Sequence, residues 1–289
     1  LKFHSDKPEI PSKFSLQFFV PCIDLYSLWS PLTETPRVIS PEGFWVNEQS
    51  GIAHGAPVLS MLSKSGQNRI TVAVSDVKIA SAIKLRLYED RKSILADIQL
   101  FTEITNPIID YEVVIRIDER NIRYETSLYE VSKWWENEYK PCSVPDYAKM
   151  PMFSTWYNYH QRLNDEELLK QCIMAAEYGM KTIIIDDGWQ TDDNRGGYAY
   201  CGDWNVCRTK IRDMRKLVDS IHKIGMKVML WFSVPFVGKY SENFKKFEGK
   251  YLNKPGECGI LDPRFPECRK FTVELYKNAA LNWNLDGLK

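Results

Sequence analysis

Up to about residue 120, apolar side chains recur at every second position along the chain. The plainest runs cover residues 70–74, 83–87 and 111–117. A period of two indicates strands that bury one face, and the polar clusters between the runs indicate turns. Since no helical periodicity interrupts these runs, we predict that residues 1–120 form an antiparallel β-sandwich.

From Ser127 to Tyr139 the apolar period lengthens to that of a helix, with large side chains on one stripe. Ser127 is expected to cap the start of this helix, because its hydroxyl suits an N-terminal backbone amide. Pro141 and Pro145 are expected to end it. We interpret residues 121–149 as a helical linker to a second domain.

After Met150 the chain repeats one unit, which consists of a short apolar run, a polar loop and an amphipathic helix. The runs expected to be strands are residues 152–157, 182–186, 228–232 and 285–289. The helices between them are expected to begin at Asn164, near Asp213 and around Pro266, the first two stopping at Gly179 and Gly225. Repeated strand–helix units predict parallel strands, which form either a doubly wound sheet or a barrel.

Composition narrows the functional classes. The chain has 38 Lys and Arg against 38 Asp and Glu, so it offers no broad basic face and a nucleic-acid partner is not expected. No run approaches the roughly 20 apolar residues of a membrane span. The seven cysteines contain no C-x-x-C pair, and we expect neither a disulfide framework nor a metal site. The compartment stays open.

The ends of the predicted strands carry the candidate chemistry, because parallel α/β folds bind ligands at the carboxyl ends of their strands. These ends hold Trp156, then Asp186 and Asp187, then Trp231, and last Lys289. Carboxylates accept hydrogen bonds from sugar hydroxyls, an ammonium group donates them, and an indole covers the apolar face of a hexose. The pattern therefore indicates a site for a neutral sugar.

Each of these residues has a plainer interpretation when it is taken alone. An Asp at a strand end often caps the next helix, Trp156 and Trp231 suit a core, and Lys289 suits a solvated surface. Adjacent aspartates also occur in magnesium-dependent phosphoryl sites. That function expects a G-x-x-x-x-G-K loop, which this sequence does not contain. Their conjunction at successive strand ends favours the sugar site.

Five segments together resemble glycoside hydrolase family 36, which holds α-galactosidases and raffinose-type galactosyl synthases. They are F-S-T-W-Y-N at 153–158, I-I-I-D-D-G-W-Q at 183–190, G-D-W at 202–204, the run 216–232 that ends in L-W-F, and D-G-L-K at 286–289. The resemblance is close over residues 120–289 and looser before them. It implies a β-sandwich, a helical linker and a (β/α)₈ TIM barrel, of which residues 150–289 would supply the first four units.

The resemblance also implies a role for each strand-end residue. Asp186 and Asp187 resemble the pair that accepts hydrogen bonds from the galactose 4- and 6-hydroxyls. Trp156 and Trp231 resemble the aromatic walls of the sugar pocket, and Trp204 is expected near that pocket. The implied partner is an oligosaccharide with a terminal α-linked galactose, and the implied reaction needs neither metal nor cofactor.

Lys289 resembles the first residue of the family's K-x-D motif, in which the Asp is the nucleophile. By this resemblance the nucleophile lies two positions beyond Lys289 and the acid/base carboxylate lies further on. A retaining glycosidase needs both carboxyls about 5 Å apart across the scissile bond. We therefore expect no catalytic residue among these 289. The fourth strand of such a half-barrel has an unpaired edge, which predicts self-association, precipitation or a longer chain.

Two departures from the family pattern leave the substrate preference open. Ser233-Val-Pro-Phe stands where many α-galactosidases have Glu-Pro-Glu. The Arg that the family often carries shortly before the Leu-Asp preceding the third helix is absent from residues 256–262. A galactosyltransferase of raffinose-synthase type and an α-N-acetylgalactosaminidase therefore remain alternatives. A non-catalytic sugar-binding barrel is an alternative of another class.

A protein that ends at Lys289 is expected to turn over no aryl α-galactoside, because both reacting carboxylates would be missing. Release of the phenol, followed by absorbance, measures this directly. Measurable turnover by the purified chain would show that the carboxylates lie elsewhere in the sequence.

Overall fold

The computed structural model describes residues 1–33, 35–39 and 45–289, which form two compact units, Leu1–Cys142 and Ser143–Lys289. No helix in these parts of the chain has the length and apolarity needed to cross a membrane. The elements of the first unit are β1 (Lys2–Glu9), β2 (Phe14–Pro21), β3 (Ser27–Trp29), β4 (Arg37–Val38), β5 (Trp45–Ser50), β6 (Val58–Leu62), β7 (Asn68–Val74), β8 (Ser81–Tyr88), β9 (Ser93–Leu100), β10 (Ile108–Glu112), β11 (Ile115–Asp118) and α1 (Tyr124–Glu138).

Within the described residues of the first unit, every strand pair is antiparallel, as the alternating pattern predicts. One sheet has the order β11-β7-β6-β3-β4, another has the order β2-β9-β8-β5, and β1 pairs with β10. Ile83 lies opposite Ile98 in one sheet, and Val72 lies opposite Leu59 in the other. These four side chains belong to one buried cluster, so the inward faces of both sheets share a core.

The run 111–117, predicted as one strand, is divided between two sheets. Residues up to Glu112 pair with β1, whereas Ile115 onward pairs with β7. Val113, at the junction, is fully buried and its amide N–H donates to the Leu1 carbonyl at 2.9 Å. A period-two pattern survives such a change of partner, because it records which face is buried and not which strand lies beside it.

Helix α1 begins earlier than the sequence predicts. Its first residue is Tyr124, and Ser127 lies within it instead of capping it. The Ser127 hydroxyl donates to Oδ2 of the buried Asp118 at 2.8 Å, which satisfies both groups. The helix packs Val131 against Ala73 on β7, so this strand is buried on both faces.

The second unit contains four parallel strands in sequence order, β12-β13-β14-β17, with longer helices between successive strands. Its elements are β12 (Met152–Ser154), α2 (Trp156–Tyr159), α3 (Asp165–Glu177), β13 (Thr182–Ile185), α4 (Met214–Lys223), β14 (Lys227–Leu230), β15 (Phe236–Gly238), α5 (Glu242–Lys246), β16 (Cys258–Ile260), α6 (Pro266–Trp283) and β17 (Gly287–Leu288).

The predicted helix ends of this unit are confirmed. The Asn164 side chain accepts from the amides of Glu166 and Glu167, both at 3.1 Å, and caps α3. Asp213 caps α4 through the amide of Lys216. Gly179 and Gly225 follow these helices at φ values of 83° and 88°, which favour glycine.

The strands are shorter than predicted, and one pair of antiparallel strands was not predicted. The first strand ends at Ser154, and the next residues turn into the short helix α2. The antiparallel pair of β15 and β16 lies between β14 and α6. Each of its strands has three residues, which is too short to show a period.

Replacement of Asp118 by Asn is expected to lower the free energy of unfolding at pH 7 by about 2 kcal/mol. Hydrogen bonds from Arg120 and Ser127 hold the pKa of the Asp118 carboxyl well below its usual range, against the effect of burial. Because the folded pKa lies below the unfolded value of about 3.9, this stabilisation is present above pH 4 and is lost as the pH falls towards the folded pKa.

Urea unfolding at pH 7 and at pH 3 measures this difference. The exposed neighbour Glu119→Gln is the matched control and should change stability by less than about 0.5 kcal/mol. An Asp118→Asn cost that is as large at pH 3 as at pH 7 would contradict the electrostatic explanation.

Candidate functional site

Strand β13 delivers two adjacent carboxylates to the end of the parallel sheet. Ile183 and Ile185 are fully buried within the strand, and Asp186 and Asp187 follow with only 3% and 5% of their surfaces exposed. The Asp186 amide donates to the Thr155 hydroxyl at 2.9 Å, which ties the end of β13 to the end of β12. The Asp187 amide donates to Asp186 Oδ1 at 2.9 Å.

The fourth strand brings a cation to the first of these carboxylates. Lys289 Nζ donates to Asp186 Oδ2 at 2.5 Å. Backbone bonds fix the position of Lys289, since its amide donates to the Leu230 carbonyl and its carbonyl accepts from the Phe232 amide, both at 3.0 Å. Two residues that are 103 positions apart therefore form one ion pair at the sheet end.

Asp187 receives neutral donors. Gln161 Nε2 donates to its Oδ2 at 2.6 Å, and Gln190 Nε2 donates to its Oδ1 at 2.7 Å. Burial raises the pKa of the Asp187 carboxyl, and the two amides oppose that rise. Each carboxylate oxygen accepts about two hydrogen bonds, so each keeps capacity for one further donor.

The indoles of Trp204 and Trp231 form an aromatic cluster with Trp189, which is fully buried. The Trp189 N–H donates to the Trp231 carbonyl at 2.8 Å. The Trp204 ring lies 6.0 Å from the Trp189 ring and 5.9 Å from that of Trp231, measured between centroids. Trp231 is partly exposed, whereas Trp204 is buried and supports it.

Trp156 is placed differently from the other predicted site residues. It begins α2, is partly exposed, and its ring lies 4.9 Å from the His160 ring. It is connected to the carboxylates through the preceding residue, Thr155, whose hydroxyl accepts a hydrogen bond from the Asp186 amide. Hydrogen bonds thus join Asp186, Asp187 and Lys289. Ring contacts join Trp204 and Trp231. Trp156 lies apart from both groups, after the end of β12.

Three residues of the candidate site were given no role in the sequence analysis: Gln161, Gln190 and Lys210. The Lys210 ammonium is buried and donates to the carbonyls of Gln161 and Gly188, at 2.7 and 3.0 Å, and to Asn194 Oδ1 at 2.9 Å. Burial lowers its pKa. Gln190 stands three positions after Asp187, which is a weak signal, whereas loop residues such as Gln161 and Lys210 carry no periodicity to mark them.

Gly188 allows the loops after β12 and β13 to pack against each other. Its φ is +111°, and a Cβ at this position would lie 2.5 Å from the Cα of Gln161. The close approach brings the Gln161 and Gly188 carbonyls within reach of one ammonium group. A side chain at position 188 would separate the loops that hold Asp187.

Comparison with known proteins finds relatives of this chain both in sequence and in structure. Residues 123–257 match the family model described as Melibiase. The α-galactosidase AgaA of Geobacillus stearothermophilus is 28% identical over 107 residues, which make up 36% of this chain and 14% of AgaA. The crystal structure of AgaA, from glycoside hydrolase family 36, gives a TM-score of 0.66 at 16% identity, covering 99% of this chain and 44% of AgaA.

The chain is similar to the α-galactosidases of glycoside hydrolase family 36. This confirms the resemblance that the motifs indicated, and at 16% identity the structural likeness is one of fold. Variants of AgaA in complex with raffinose and with stachyose give TM-scores of 0.65, also at 16% identity, and cover 95% and 99% of this chain and 41% and 44% of AgaA. The chain spans less than half the length of these family 36 enzymes.

The Melibiase match includes the aspartate pair and the indoles of the candidate site, but it ends before Lys289. The family-model match therefore includes one partner of the ion pair, Asp186, and not the other.

Replacement of Gly188 by Ala is expected to destabilise the second unit by about 3 kcal/mol, because a left-handed backbone strain adds to a backbone clash. The matched control is Gly179→Ala, where φ is +83° and no atom lies within 4 Å of a new Cβ. It should cost only about 1 kcal/mol. Thermal unfolding measures the stability of both variants. An equal loss of stability in the two would contradict the explanation by a backbone clash at position 188.

Proposed function

We propose that the whole protein is a retaining glycoside hydrolase that releases terminal α-linked galactose from oligosaccharides or glycoconjugates. The observation that carries the proposal is the cluster of Asp186, Asp187 and Lys289 at the carboxyl ends of parallel strands, with Trp231 at the strand end between them. Its buried acceptors and its ammonium group suit sugar hydroxyls, and its indole suits the apolar face of a hexose.

The proposed architecture is a β-sandwich over residues 1–120, a linker over 121–149 and the first four units of a (β/α)₈ barrel over 150–289. The core shared by two antiparallel sheets supports the sandwich. The order β12-β13-β14-β17 supports the barrel, because a doubly wound sheet reverses its strand order at a switch point and a barrel does not.

In this proposal Asp186 and Asp187 accept hydrogen bonds from the galactose 4- and 6-hydroxyls. Lys289 neutralises Asp186 and donates to the sugar, since an ammonium group has three donors and the carboxylate occupies one. Trp231 and Trp156 flank the ring. A buried acceptor without its hydroxyl costs about 1–3 kcal/mol, which is the physical source of discrimination between epimers.

The bond-breaking step is assigned to carboxylates other than this pair. Asp186 is engaged by Lys289, and Asp187 is engaged by two amides, so both are held as hydroxyl acceptors. By resemblance to the family, the nucleophile is the Asp of the K-x-D motif that Lys289 begins, and the acid/base follows it. The substrates proposed are galactose-containing oligosaccharides, the class found in the AgaA complexes with raffinose and stachyose.

Galactoside binding tests the proposal independently of turnover. We expect methyl α-galactoside to quench tryptophan fluorescence and to bind at least tenfold more tightly than its 4-epimer, methyl α-glucoside, because the acceptors are fixed. Asp186→Asn and Asp187→Asn should each lower galactoside affinity by about tenfold or more.

The matched control is Asp219→Asn, a partly exposed aspartate on α4 that pairs with Arg215 and should leave affinity unchanged. Equal affinity for both epimers would refute the proposal. So would galactoside binding that neither site variant weakens.

A further inference from the structure

Asp187 lies in a cradle formed by Gln161 and Gln190, and Lys210 binds the backbone of the two loops that carry these glutamines. We propose that the two glutamines, on loops that the buried ammonium of Lys210 joins, are positioning residues that fix the orientation of the Asp187 carboxylate and so determine which sugar epimer it accepts. This inference rests on the proposed sugar-binding role of Asp187.

Lys210 has no free donor for a ligand. Its ammonium carries three N–H groups, and the structure gives it three acceptors, the carbonyls of Gln161 and Gly188 and the Asn194 side chain. These acceptors come from the loops after β12 and β13. A buried cation that is fully occupied by two separate loops acts by holding them together.

Both glutamine amides have one defined orientation. Gln161 Oε1 accepts from the Gly196 amide at 2.8 Å while its Nε2 donates to Asp187. Gln190 Oε1 accepts from the Gly188 amide at 3.0 Å while its Nε2 donates to the other oxygen of Asp187. A flipped amide would place oxygen against the carboxylate and NH₂ against a backbone N–H, so each backbone amide fixes its glutamine.

Two fixed donors on two different oxygens prevent rotation of the carboxylate. The plane of Asp187 is then set by Gln161 and Gln190, and the remaining acceptor positions point in fixed directions. A hydroxyl has to approach from those directions. Because the donors are neutral amides, they orient the carboxylate without a permanent counter-charge. A freely rotating carboxylate would serve either epimer.

The same contacts affect the protonation of Asp187. Burial and the charge of Asp186 raise its pKa, whereas the two amides lower it, and Lys210 and Cys201 are the other titratable groups nearby. Loss of one amide should therefore raise the pKa of Asp187 further. Since the ionised form accepts the sugar hydroxyl, the acid limb of galactoside binding should move to higher pH.

A double-mutant cycle separates positioning from general stability. The protein is compared with Gln161→Leu, Gln190→Leu, Asp187→Asn and the two double variants, with methyl α-galactoside and methyl α-glucoside as probes. We expect each Leu variant to weaken galactoside binding about tenfold, to reduce the preference for galactoside over glucoside, and to have no further effect once Asp187→Asn is present.

The matched control is Gln171→Leu on α3, whose side chain donates to Glu167 and does not contact the cradle. It should change neither the affinity nor the acid limb. Lys210→Met should resemble the Leu variants, and Lys210→Arg should recover part of the epimer preference. If Lys210→Met fails to fold, the glutamine cycle still decides the question.

The outcomes are distinguishable. Two results would overturn the positioning role and leave the proposed function intact. One is that the Leu variants lose the same galactoside affinity with and without Asp187→Asn. The other is that the acid limb of galactoside binding does not move in either Leu variant. Galactoside binding that Asp187→Asn does not weaken would overturn the inference together with the sugar-binding role of Asp187.

Discussion

The second unit depends on the accommodation of two adjacent buried carboxylates. Removal of one charge from water costs several kcal/mol unless it gains partners, and neighbouring like charges add to that cost. The structure treats the two differently: Asp186 receives the ammonium of Lys289, and Asp187 receives two amides. Since these partners come from different strand ends, the carboxylates determine how the loops after the parallel strands are arranged.

Much of this arrangement could be predicted from the sequence, because some signals are local. Asn164 and Asp213 precede helical stripes and cap them, and Gly179 and Gly225 follow them in the left-handed region. The position of Asp186 and Asp187 at a strand end follows from the apolar run before them. Each of these predictions needed only neighbours within one element.

What the sequence did not reveal depends on contacts between distant segments. Ser127 has the residue type of a helix cap, but Asp118 provides a buried partner, and the helix begins at Tyr124. Gln161 and Lys210 lie in loops without periodicity, and their roles appear only when the ends of β12 and β13 meet. The roles of such polar residues depend on partners that lie far away along the chain. A single sequence does not show which distant residues come into contact.

The ion pair between Asp186 and Lys289 links the site to the order of chain assembly. Strands β12, β13 and β14 lie earlier in the chain, yet the cation for the buried Asp186 arrives only with β17. Asp186 therefore gains its counter-ion only when the fourth strand docks. Formation of this ion pair and docking of the fourth strand are therefore one event, so a sheet of three strands would lack the charge pair on which the proposed sugar site rests.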